Sequence, residues 1–93
     1  MSHLVALIDA YKDSHGNPSD SSVARVIDVA PQTISSWRRR GVREVPNPEC
    51  LRKLARLIQA DYISVVLRAA LIDAGLARES DYQRDVVRTE TLD

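Results

Sequence analysis

Ala30-Pro31-Gln32-Thr33-Ile34-Ser35-Ser36-Trp37-Arg38-Arg39-Arg40-Gly41 carries both ends of a short helix in its own residues. Pro31 stands where a missing N–H costs nothing and where its fixed φ is already helical, and Gly41 supplies the left-handed residue that often follows a helix end. With side chains advancing by about 100° per residue, Ile34 and Trp37 fall on one stripe, and Gln32, Ser36 and Arg39 fall close to the opposite direction. Thr33 and Arg40 occupy one flank of the outward side, Ser35 and Arg38 the other. The apolar stripe anchors the helix, and the remaining face offers amide, hydroxyl and guanidinium groups. Such a face suits the major groove of duplex DNA, where Gln bridges adenine and Arg bridges guanine.

Working outward, Ser21-Ser22-Val23-Ala24-Arg25-Val26-Ile27-Asp28-Val29 is a second short amphipathic segment that ends in a tight connection. Val23, Ala24, Ile27, Val29, Ile34 and Trp37 give the two segments one small shared core, with Ala24 small enough to allow close approach. The pattern Val-Ala-x-x-Ile-Asp-Val-Ala-Pro-Gln-Thr-Ile-Ser-Ser-Trp-Arg-Arg-Arg-Gly resembles the helix-turn-helix of the lambda-repressor-like (Cro/repressor) family of DNA-binding proteins. The resemblance is specific over residues 21–41 and extends more loosely, through Val45-Pro46-Asn47-Pro48, to Gly75-Leu76. It implies an all-α, five-helix domain that binds double-stranded DNA as a transcriptional repressor of the temperate-phage immunity type. Base-reading candidates are then Gln32, Thr33, Ser36 and Arg39, and phosphate candidates are Ser21, Ser22, Ser35, Arg38, Arg40 and Arg43. Two positions depart from the family pattern. Asp28 stands where Gly is usual, although Asp tolerates the left-handed region better than most residues. Ala30 stands where a capping Ser or Thr is common, so the first N–H groups of the following helix have no side-chain acceptor.

The 93 residues suffice for one small domain, and with 44% apolar content, four aromatics and no Phe its core must be aliphatic. A net charge of zero argues at first against a nucleic-acid partner. The distribution reverses that argument. Residues 25–56 hold Arg25, Arg38, Arg39, Arg40, Arg43, Arg52, Lys53 and Arg56 against Asp28, Glu44 and Glu49, a net of +5, and the remainder of the chain carries −5. A basic middle between acidic ends steers one face toward phosphates. One cysteine excludes an internal disulfide and fits a reducing compartment. No apolar run approaches about 18 residues and no export signal is visible, so the expectation is a soluble, cytoplasmic protein of a bacterial host with no membrane partner.

In chain order, Ser2 caps a helix over residues 2–14 whose Leu4, Leu7, Ile8 and Tyr11 form a core stripe. His15-Gly16-Asn17-Pro18 breaks it, and Ser19 or Asp20 caps the next helix. After the basic helix, Asn47-Pro48 opens a fourth over residues 48–60 with Leu51, Leu54, Ala55 and Ile58 on one stripe. A fifth over residues 62–74 aligns Ile63, Val66, Leu67, Ala70, Leu71 and Ala74, and Gly75 ends it with Leu76 folding back on Leu71. The DNA-binding domain is thus residues 1–76. Residues 77–93 form a tail in which Ser80-Asp81-Tyr82-Gln83 has capping-box form, pointing to a short connector helix over residues 81–89.

Other chemistries find little support. Arg38 to Arg40 would also stabilise the carboxyl end of their helix as a solvated run. Trp37, on the Ile34 stripe, belongs to the core rather than to a base-stacking platform. Cys50 near a helix start is a small buried hydrophobe with no partner His nearby in sequence, and neither His3 nor His15 has a second ligand at metal spacing. No phosphate loop, nucleophile elbow or acid/base pair occurs, so neither an enzyme nor a cofactor or small-molecule ligand is expected. The rival reading is an antitoxin-like or other regulator on the same fold whose main partner is a protein, since Gln32, Thr33, Ser36 and Arg39 also suit a protein-binding face. A homodimer on a palindrome and a monomer on an asymmetric site both remain open.

Overall fold

Four of the helical starts are fixed by a capping side chain on the residue before them. In the computed structural model, which describes residues 2–81, the Ser2 hydroxyl accepts from Val5 N–H, Ser19 from Ser22 N–H, Asn47 from Glu49 N–H and Asp61 from Ser64 N–H. These caps open α1 (His3–Ser14), α2 (Asp20–Ile27), α4 (Pro48–Ile58) and a π-helical segment (Tyr62–Leu67) that runs on into α5 (Arg68–Asp73). Between α2 and α4, α3 (Pro31–Arg40) starts at Ala30 with Pro31 as its first residue and no side-chain cap. Ser19 is therefore the cap of α2, and Asp20 is its first helical residue. The described residues are all-α.

The ends are equally local. Asp28 adopts φ 63°, ψ 47°, and Val29 N–H returns to Ala24 O at 2.9 Å, closing α2 with the six-residue bond typical of a left-handed stop. Gln59 ends α4 in the same way at φ 56°, so that helix stops short of residue 60. Gly75 completes the set, with Leu76 N–H donating to Leu71 O at 2.9 Å. The backbone of Leu76 thus folds back on Leu71, although its side chain is 71% exposed.

One departure concerns the fifth helix. Its first half is π-helical, with Val66 N–H reaching Asp61 O at 3.3 Å, where an α-helix over 62–74 was expected. A π turn takes in an extra residue, which rotates everything before it relative to an α pattern. The expected stripe consequently splits. Val66 and Ala70 are buried and Ala69 joins them, whereas Leu67, Leu71 and Ala74 are half-buried and Ile63 is 63% exposed.

A single core holds the domain. Leu4, Val5 and Ile8 of α1, Val23, Ala24 and Ile27 of α2, Ile34 and Trp37 of α3, and Leu51, Leu54 and Ala55 of α4 are buried together with Val42, Cys50, Val66, Ala69 and Ala70. α4 packs on α2 and on the π-helical segment, α2 packs on α3, and α5 lies along α1. The α1–α5 contact is pinned by Asp73. Its carboxylate, only 3% exposed, accepts from Ser2 Oγ (2.8 Å), His3 N (2.7 Å) and Leu4 N (2.9 Å), so a residue of α5 caps the start of α1. No helix among the described residues is long and apolar enough to cross a membrane. The connector helix expected over residues 81–89 lies outside the described residues apart from Asp81. Residues 79–81 are helical, so Ser80 lies inside a helical stretch rather than ahead of one.

Candidate nucleic-acid interface

α2 and α3 are joined by three residues, 28–30, and the left-handed Asp28 makes the reversal possible without glycine. Val23, Ala24, Ile27, Ile34 and Trp37 are buried at or between the two helices, and Val29 is half-buried against them. These contacts fix which side of α3 is left over. Gln32, Ser35, Arg39 and Arg40 are exposed, and Thr33 and Ser36 are half-buried at the margin. At its far end Gly41 takes φ 81°, ψ 174°, a combination essentially closed to residues with a Cβ, while its N–H donates to Trp37 O. The chain leaves α3 in an extended direction and carries Arg43 away on the following loop.

The structure divides the candidate residues between surfaces. Thr33, Ser36 and Arg40 line an open cleft of about 800 Å³ together with Arg43 of the loop, Asp28 of the turn, Asn47 at the cap of α4 and Lys53 in its middle. Gln32 and Arg39 lie outside that cleft, on the exposed crest of α3, and Ser35 is exposed beside them. Ser21 and Ser22 sit exposed in the first turn of α2. The Ser22 hydroxyl lies 3.0 Å from that of Ser19. Lys53 was not among the residues singled out from the sequence. Its place on the cleft depends on α4 packing against α2, and no local pattern signals that.

Arg38 is already engaged within the chain. The sequence placed it with the phosphate contacts, but its flank of α3 turns toward α1 and the start of α2. There Nε and Nη2 donate to Asp20 (both 2.9 Å) and Nη1 and Nη2 to Asp9 (3.1 and 2.6 Å). Lys12 Nζ donates to the same Asp20 at 2.8 Å. The hydrogen bonds from Arg38, aided by Lys12 and opposed by partial burial, hold the Asp20 carboxyl at about 2, and the same guanidinium lowers Asp9. The paired carboxylates in turn raise Arg38 further above its ordinary range. By contrast Arg39, Arg40 and Arg43 form no ion pair with another described residue, and Lys53 makes only a 3.4 Å contact with the exposed Asp28. Arg39, Arg40 and Arg43 are thus open cations at this face among the described residues.

The remaining reactive groups are structural. Burial pushes the Cys50 thiol up, with Lys53 and Asp28 acting in opposite directions, and the side chain belongs to the core. The His3 ring lies between Asp73 and Glu79, and His15 stacks on Tyr11 with centroids 4.2 Å apart. Among the described residues no group of three or more His, Cys, Asp or Glu side chains is placed to hold a metal. Compared with family models, curated proteins and solved structures, the chain matches none.

Proposed function

We propose that this chain is a sequence-specific double-stranded DNA-binding domain of the five-helix, lambda-repressor-like helix-turn-helix kind, and that it acts as a transcriptional repressor of the phage-immunity type. α3 enters the major groove, with Gln32, Thr33, Ser36 and Arg39 meeting base edges and Arg40, Arg43, Ser21, Ser22 and Ser35 meeting phosphates. The observation that carries the reading is the α2–α3 pair. Two short helices meet across a three-residue turn, Ile34 and Trp37 are buried, and the polar crest of α3 lies beside three arginines that have no carboxylate partner among the described residues. A helix held this way has one face to offer, and that face is cationic and rich in hydrogen-bond donors.

Selection of bound sequences from random duplex DNA tests the reading and gives the symmetry of the site at the same time. On the selected site, affinity falls with salt at a log–log slope of about −2.7 to −4.5, as expected for about three to five neutralised phosphates. Gln32→Ala, Ser36→Ala and Arg39→Ala each cost about 1–3 kcal/mol and relax base preference, whereas Arg43→Ala weakens all sequences alike. A flat salt response, or no enriched sequence, overturns the proposal.

A further inference from the structure

We propose that Arg38 is a positioning residue, a clamp that sets the angle at which α3 is presented, and not a contact to nucleic acid. The inference rests on the DNA-binding reading above and names how that site is held. α3 is anchored to the core by Ile34 and Trp37 alone among its buried side chains. Apolar contacts of this kind resist separation but have little directional preference, so they leave roll and tilt weakly defined. The Arg38 guanidinium supplies direction. Its planar fork makes four N–H···O bonds of 2.6–3.1 Å, two to Asp9 on α1 and two to Asp20 at the start of α2, tying α3 to both neighbours at once. Lys12 supplies the second positive charge, so two cations balance two carboxylates.

The lever is long enough to matter. Gln32 lies six residues from Arg38, about 9 Å along the axis at 1.5 Å per residue. A tilt of roughly 10° about Arg38 moves it by about 1.5 Å, several times the 0.5 Å tolerance of a working recognition constellation. A phosphate, by contrast, would have to displace both carboxylates and would then lie close to two negative charges that only Lys12 offsets.

The test compares Arg38→Lys with Asp9→Asn/Asp20→Asn in the full chain, measuring affinity for a selected site and for random duplex, and their salt slopes. Lysine keeps the charge but cannot bridge four oxygens, so a phosphate contact would survive the change and a clamp would not. We expect Arg38→Lys to lower the cognate-to-random affinity ratio at least tenfold with the slope unchanged. The double Asn variant removes two negative charges, which alone would tighten binding to every duplex. We expect its affinity for random duplex to hold or rise while the cognate ratio falls. Retention of the ratio in both variants overturns the clamp, as does an Arg38→Lys loss that is equal on both duplexes. If the unaltered chain binds no duplex, the DNA-binding reading has failed. The clamp is then judged by amide exchange in the free chain. Faster exchange in α3 than in α4 of either variant sustains it, and unchanged exchange refutes it.

Discussion

Asp73→Ala should be among the most damaging single changes outside the apolar core. The carboxylate accepts four hydrogen bonds, from Ser2 Oγ, His3 N, Leu4 N and His3 Nδ1, and these bonds are the polar tie between the first and last α-helices described. Truncation leaves the donors unequally placed. His3 is exposed and its N–H turns to water at little cost, whereas the Leu4 N–H belongs to a fully buried residue. An orphaned amide of that sort costs about 1–3 kcal/mol, while the Ser2 cap on Val5 N–H survives the change. For a domain of this size that lowers the melting temperature by about 5–25 °C. Thermal unfolding followed by far-ultraviolet circular dichroism near neutral pH measures it, with Asp73→Asn, which keeps one acceptor oxygen, falling between the variant and the unaltered chain. A melting temperature for Asp73→Ala within about 3 °C of the unaltered chain would refute the assignment of Asp73 as the tie.

Trp37→Ala should cost about 3–5 kcal/mol, because the indole is 8% exposed in the shared core, and DNA affinity should vanish through unfolding. A variant that melts normally yet fails to bind would make Trp37 a contact instead. The chain should also lose stability in acid. Asp20 is lowered to about 2, chiefly by Arg38, and Asp73 is lowered because its hydrogen bonds outweigh its burial. Carboxyls depressed in the folded state contribute fully above their unfolded value near 4 and cease to contribute as pH falls through the folded value. The loss therefore falls between about pH 4 and pH 2. From 3.8 to about 2, Asp20 alone corresponds to at most about 2.5 kcal/mol, reduced toward 1 by solvent at a side chain 28% exposed. Chemical denaturation at successive pH values reads this directly, and Asp20→Asn should flatten that part of the profile.

Much of the architecture was legible because its determinants are local. Ser2, Ser19, Asn47 and the prolines at 31 and 48 start helices within a residue of where they stand, and Asp28 adopts the left-handed conformation its position demanded. Ile34 and Trp37 were recognisable as the anchor of α3 from spacing alone. Long-range fit was not legible. Nothing near residues 62–67 announces a π-helical stretch. Asp73 drew no reading from the sequence, because its donors lie about seventy positions earlier in the chain.

Arg38 shows why a charge count overstates a binding face. Three consecutive residues on a helix point in directions spanning about 200°, so the run Arg38-Arg39-Arg40 cannot turn as a block toward one ligand. Once Ile34 and Trp37 are placed against the core, geometry distributes the three. Arg39 stands on the crest, Arg40 borders the cleft with Arg43, and Arg38 is directed back at Asp9 and Asp20. Charges inside the basic stretch are likewise engaged, since Arg52, whose Glu49 partner is already counted in the net +5 of residues 25–56, lies 5.1 Å over the Tyr62 ring. The same side chain therefore serves two purposes within one turn of helix. Where carboxylates from two neighbouring helices converge, arginine becomes structure. Where none do, it remains available to a phosphate. Which of these a residue does is decided by its angle about the helix axis and by partners 18 and 29 positions away.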